Sequence, residues 1–298
     1  MEQVRGQILL ERAATSEPSR RMEWLQWGIL LALMVLLYHG ILTSLAKDWW
    51  QDPNFSHGFF VPLFSLFVVW QMRGKLSKTQ LRPQWFGLIV IVGALCILIV
   101  GVLGAELFLS RSSLVLLLAG LVIYFAGWPY FRAVLFPLAV LLLMIPIPVI
   151  IFNEITLPLQ FLASRLATGL LSGVGVPVLR EGNVIQLPAL SLEVAEACSG
   201  IRSLVSLITL AVIYGYFAER RTILRIILVL AAVPVAVAAN ALRIMGAGLS
   251  GQYWDPDKAE GFFHTFSGWV VFVLSLAMLF LIHRSFSLFH KAPKEQSS

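Results

Sequence analysis

Long apolar runs separated by short polar groups organise most of this chain. A helix that crosses a bilayer needs about 20 mostly apolar residues. Runs of that kind fall at 25–46, 85–104, 112–128, 132–151, 199–218, 223–248 and 265–283, with a shorter one at 58–72. Small residues at Thr43–Ala46 follow the first run, but that run is too long for the core of a signal peptide, so it reads as a retained span. Segment 155–176 is ambiguous. It carries Arg165, Gly169, Gly173 and Gly175 just after Pro146 and Pro148, and fits an extra span, a re-entrant piece or an interfacial helix.

A different pattern follows it. From Val176 to Leu187, short apolar runs flank a Gly182-Asn183 turn signal, and Leu190–Val194 alternates with a period of two. This predicts a small β-hairpin. Open strands leave unpaired backbone groups in hydrocarbon, so the hairpin belongs at a water interface. The expected fold is an all-α polytopic bundle of about eight transmembrane helices, with a small extracytoplasmic hairpin ahead of the helix that starts near Cys198. The expected division is a polar amino-terminal segment 1–24, a membrane domain 25–285 and a tail 286–298.

Composition agrees with this pattern. Apolar residues make up 58% of the 298 and charged residues 13%, against roughly 45–50% and 25% in soluble chains. The formal charge is +6, but the basic residues sit in short clusters between apolar runs, as orientation signals do. No basic run interleaved with aromatics is present, so nucleic-acid binding is not expected. The two cysteines form no CxxC and no spaced framework, and no His/Glu cluster suggests a metal. No cofactor is implied.

Fifteen of the 22 Lys and Arg fall before the first span, between 73 and 82, at Arg132, at 220–225 and in the tail. With 155–176 not crossing, these clusters alternate with eight spans and place both termini in the cytoplasm. Three unusual groups then share the outer face: Cys198 at the start of the sixth span, Arg243 near the outer end of the seventh, and His264 at the outer start of the eighth.

A helix amino terminus lowers a thiol pKa, and Arg202, one turn along, adds positive potential, so Cys198 is a candidate nucleophile. Cys96, in the middle of a span, reads as core. Arg243 is costly on a membrane helix and suits a fixed cation facing an anion, with Asn240 one turn before it. His264 is placed to move a proton; His57 is on the same face, and spacing alone does not choose between them. Glu193 and Glu196 precede the cysteine, where either suits orienting a histidine or simply being solvated. Trp49, Trp50 and Trp254 suit an interfacial belt.

Four segments together resemble the exosortase/archaeosortase family of membrane cysteine transpeptidases. They are Glu196-Ala197-Cys198-Ser199-Gly200-Ile201-Arg202-Ser203, Asn240-Ala241-Leu242-Arg243-Ile244, His264-Thr265-Phe266-Ser267-Gly268 and Ser56-His57-Gly58-Phe59-Phe60-Val61-Pro62. The resemblance covers about 50–285. It implies Cys198 as nucleophile with Arg243 and His264 as partners, which decides between the histidines, while Arg202, Asn240, Glu196 and His57 stand as supporting candidates. It further implies membrane-anchored substrates with a carboxy-terminal sorting signal of the PEP-CTERM type. The bacterial branch that it resembles is associated with exopolysaccharide export, with the site facing outward from the inner membrane. A different class of function also fits intramembrane Arg and His residues: a transporter or flippase of a lipid-linked saccharide. An intramembrane protease of another type, such as a metal-dependent one, is a third.

Overall fold

The structure, a computed structural model, describes residues 2–52, 54–194, 201–253 and 256–289, with side chains for 25–52, 54–194, 204–253 and 270–286. Helix α1 (Glu2–Gln51) leads through a 3-10 turn (Ser56–Phe59) into α2 (Phe60–Gln71) and the single turn α3 (Arg73–Leu76). Then come α4 (Phe86–Leu103), α5 (Leu107–Ala126), α6 (Trp128–Val140), a second 3-10 turn (Leu141–Met144) and α7 (Val149–Gly173). Strands β1 (Leu179–Glu181), β2 (Val184–Gln186) and β3 (Ser191–Glu193) precede α8 (Ile201–Ala218), α9 (Thr222–Tyr253) and α10 (Pro256–Phe289).

Among the described residues, five helices are long and apolar enough to cross a membrane: the Leu25–Gln51 part of α1, and α4, α5, α7 and α9. Apolar helical stretches at Ser56–Gln71, Trp128–Met144, Leu204–Ala218 and Val270–Phe286 match the remaining expected runs. Large apolar side chains such as Leu36, Phe60, Ile89 and Leu230 point outward from these helices. In water they would form an aggregating surface; against lipid they form the solvated one. The chain is a helical multi-pass membrane protein.

Segment 155–176, ambiguous in the sequence, lies mostly within one uninterrupted helix, α7, of spanning length. Its buried face is partly polar, with Thr156, Gln160 and Ser164 turned inward. That face explains the weak hydropathy signal: the polar residues meet protein while Ile155, Leu162 and Leu166 face out.

Helix α7 ends at Gly173 and is closed off by Gly175, whose φ of +84° suits a residue without Cβ. Gly175 N–H donates to Ser172 O and Val176 N–H to Leu171 O, and Val176 packs with Leu171 in one core cluster. This reversal sends the chain into the sheet. Strands β1, β2 and β3 pair antiparallel in that order, with Glu181 opposite Val184. The two-residue turn has Gly182 at φ +66°, and Asn183 is not among the positive-φ residues, the arrangement of a type II′ turn. The expected hairpin is therefore present, extended by β3.

Two packing groups emerge. Helices α1, α2, α4, α5 and α6 share a core that includes Tyr38, Val61, Val68, Leu98, Leu114 and Val140. Helices α7 to α10 and the sheet share two others, one around Leu171, Ile185 and Ile244, the other around Leu207, Ala211, Leu228 and Ala232. Aromatic rings at the end of α8 join the groups: Tyr216 stacks on Phe136 with centroids 4.8 Å apart.

The α4–α5 pair is the tightest in the first group because glycines let the backbones approach. A Cβ on Gly87 would collide with the Tyr124 backbone, one on Gly101 would lie 2.7 Å from Ser110 N, and one on Gly120 2.9 Å from Ile91 N. Gly87→Leu is expected to separate this pair and to cut the yield of folded protein several-fold in size-exclusion profiles. Gly93→Leu, where a Cβ would meet nothing within 4 Å, is the matched control and should leave the profile unchanged.

Candidate active site

The geometry of the second group follows from its two helical hairpins. Helices α8 and α9 join through Glu219–Arg221, where Glu219 accepts from the backbone N–H of Arg220 (2.7 Å) and Arg221 (3.1 Å). Those bonds satisfy two free donors at the start of α9 and hold the Glu219 carboxyl below its usual range, the Arg221 N–H contributing most. One turn on, a Cβ on Gly215 would rest 3.7 Å from Arg225 Cα. Further along, Ala211, Leu207 and Leu204 share a cluster with Leu228, Ala232, Val235 and Ala236. The helices therefore run in step.

Counting along this register locates the other end. Ile201 is 17 residues before Ala218, and 17 residues after Thr222 is Ala239. The start of α8 is thus level with Asn240, and Cys198 is three residues earlier in the chain. Helix α9 ends at Tyr253 and α10, which packs back on it, begins at Pro256. His264 is eight residues into α10, and eight residues back from Tyr253 is Met245. Leu279 and Leu228 sharing one cluster, and Tyr214 Oη 2.7 Å from His283 Nδ1, follow the same three-helix register. At 1.5 Å per residue, the backbones of Arg243 and His264 lie within about one turn of each other in depth.

Asn240 is 1% exposed and Arg243 half-buried, and each has an interacting partner. The adjoining face of α9 packs on α7 and the sheet: Ile244 clusters with Ala163, Ala167 and Leu171, and Gly248 faces Leu171 and Leu187. Buried Gln160 and Ser164 bring further polar groups to that face of α7, with Ser164 Oγ donating to Gly182 O at 3.0 Å. Arg243 therefore stands between two apolar clusters, next to Ile244, on the stretch of α9 that packs on α7.

Cys198 and Glu196 lie outside the described residues, as do the side chains of Arg202 and His264. Glu193 is exposed on β3, as a solvated strand charge would be. His57 belongs to the first packing group. Its Nε2 donates to Leu143 O at 3.2 Å, beside the Trp49 Nε1 bond to Met144 O at 2.9 Å. Both rings thereby tie the first 3-10 turn and the end of α1 to the second 3-10 turn. Trp49 has a polar partner inside the protein and Trp50 is 82% exposed, so of these two Trp50 fits the expected interfacial belt, and Trp254 lies outside the described residues.

Sequence reasoning passed over one polar feature. Asp48, Asp52, Glu106 and Arg111 line a cavity of about 550 Å³ at the carboxy-terminal end of α1. The signal was present: Arg111 directly precedes the apolar run at 112–128 and lies five residues after Glu106.

A family model described as transmembrane exosortase matches residues 49–281, more than three quarters of the 298 residues. No curated protein matches the chain, and no solved structure does. The match takes in α2 to α9, the sheet and most of α10, and on it the chain belongs to the transmembrane exosortase family.

Proposed function

We propose that the protein is a membrane-embedded cysteine protease or transpeptidase that cleaves the carboxy-terminal sorting signal, of PEP-CTERM type, from exported proteins at the outer face of the bacterial inner membrane. In this reading α7, although of spanning length, does not add a crossing, both termini are cytoplasmic, and the work is linked to exopolysaccharide and cell-surface export. The observation that carries it is the common level of the α8 start, Arg243 and the His264 backbone position, within a chain of the exosortase family.

Cys198 passes its thiol proton to His264, and the thiolate attacks the scissile carbonyl carbon. The resulting oxyanion is held by Arg243. Collapse breaks the C–N bond, His264 gives the proton to the departing amine, and a thioester joins the substrate to Cys198. Water, an amine or a hydroxyl then loses a proton to His264 and displaces the thiolate. The substrate's own membrane helix holds the scissile bond at the right depth and raises its effective concentration.

The test is to trap the thioester. Membranes making the enzyme and a tagged sorting-signal protein are treated with neutral hydroxylamine, and the new carboxy terminus is read by mass spectrometry. A hydroxamate at one fixed residue is expected, and prior alkylation of Cys198 should remove it. Processing that continues after complete Cys198 alkylation, with no hydroxamate, would overturn the thiol mechanism.

A further inference from the structure

The polar cavity at the end of α1 is one chamber of a longer groove. Below it in the chain, Leu33, Leu36, Leu37 and Gly40 of α1 and Ile99 and Leu103 of α4 line an apolar groove of about 820 Å³. Between the two is a throat of about 200 Å³. The throat shares Gly40, Ile41 and Val102 with the apolar groove, and Ala105, Leu107 and Arg111 with the polar cavity. The three spaces follow α1 from the middle of its apolar run to its polar end.

The turn after α4 fixes one wall. Glu106 N–H donates to Gly101 O at 2.8 Å and Ala105 N–H to Val102 O at 3.3 Å, while Ala105 takes the left-handed conformation (φ +51°) usually left to glycine. This closure sets Glu106 at the cavity edge. Asp52 is oriented by the Asn54 N–H, which donates to its Oδ1 at 2.8 Å. Arg111 is 2% exposed and is held by Asp48 and by Ser44 Oγ (3.1 Å).

Size and charge select the occupant. One turn of helix, about 10 Å across and 5.4 Å in pitch, fills roughly 400 Å³, so a substrate's membrane helix does not pass the throat, whereas an extended chain does. The polar end has three carboxylates and one guanidinium among its lining residues. With Asp48 paired to Arg111, Asp52 and Glu106 leave an excess of negative charge that calls for a cation. We propose that this groove binds a glycerophospholipid with a primary-ammonium headgroup: an acyl chain between α1 and α4, the glycerol region at Gly40 and Ser44, the phosphate toward Arg111, and the ammonium against Asp52 and Glu106. The site is separate from the Cys198 chemistry and stands whatever the fate of that reading.

The experiment uses full-length protein reconstituted in nanodiscs of equal parts phosphatidylethanolamine, phosphatidylcholine and phosphatidylglycerol, re-extracted into detergent, with retained lipid measured by mass spectrometry. The wild type should retain phosphatidylethanolamine at least several-fold over both others. Glu106→Gln with Asp52→Asn should abolish that preference. Gly40→Trp should lower retention of all three, because a side chain there meets no protein atom within 4 Å and grows into the groove. Unchanged thermal unfolding in the variants shows that folding is not what changed; if one unfolds early, the other carries the test. Retention of phosphatidylcholine equal to phosphatidylethanolamine, a preference that survives the double carboxylate variant, or unaltered retention in Gly40→Trp would each overturn the proposal.

Discussion

Cys198→Ala should leave no detectable processing of a tagged sorting-signal protein, while Arg243→Gln should slow it by about 10²–10³-fold. The two losses differ for a physical reason. Removing the thiol removes the atom that forms the acyl bond, and the remaining groups have nothing to activate. Removing the guanidinium leaves the covalent route open but withdraws charge from the oxyanion, a loss of about 2.7–4 kcal/mol for one such donor. Arg243→Lys should fall between, because an ammonium keeps the charge and loses the planar fork. Cys198→Ser should be close to Cys198→Ala, since a hydroxyl at this site has no depressed pKa to exploit. Immunoblots for the shortened substrate, in membranes with equal enzyme levels, give all four rates. A transporter or flippase would tolerate Cys198→Ala, so normal processing in that variant would remove the protease reading.

The apolar runs were legible because spanning helices are set by length and composition, which a sequence displays directly. The Gly182-Asn183 turn was legible for a similar reason: a two-residue loop requiring positive φ names its residues. Segment 155–176 was harder because Thr156, Gln160 and Ser164 look like interruptions until α9 and the sheet are seen to cover them. The reach of α9 to Tyr253 and of α10 back to Pro256 extends both helices beyond their apolar windows. That reach sets the depth of Arg243 and His264, and hydropathy does not register it. The distribution of charge draws attention to Arg202 and Arg243, whereas Arg111 stands just before the apolar run at 112–128 and reads from sequence as part of a connection. It is instead inside α5 and buried. Its partner Asp48 is 63 residues away, and only packing reveals such a pair.

That pair carries the second large effect, on stability. Arg111 is 2% exposed and Asp48 37% exposed on their side chains, so the guanidinium depends on the pair far more than the carboxylate does. Asp48→Ala would leave a buried cation whose remaining side-chain hydrogen bond, among the described residues, is to Ser44 Oγ. Breaking a buried pair from one side costs about 3–5 kcal/mol; because Asp48 is partly solvated, the lower end, about 3 kcal/mol, is expected here. Arg111→Met removes the charge itself and fills similar space, so it should cost less, and the double variant should recover most of what Asp48→Ala loses. Thermal unfolding of the four proteins in one detergent gives the double-mutant cycle. If the double variant were as unstable as the two single losses added together, the charges would not be coupled and the buried Arg111 would owe its place to other contacts. Recovery in the double variant would mean that the pair anchors α1 to α5 through compensation rather than through net attraction. The polar end of the groove would then be held open by a device whose removal is nearly neutral and whose halving is costly.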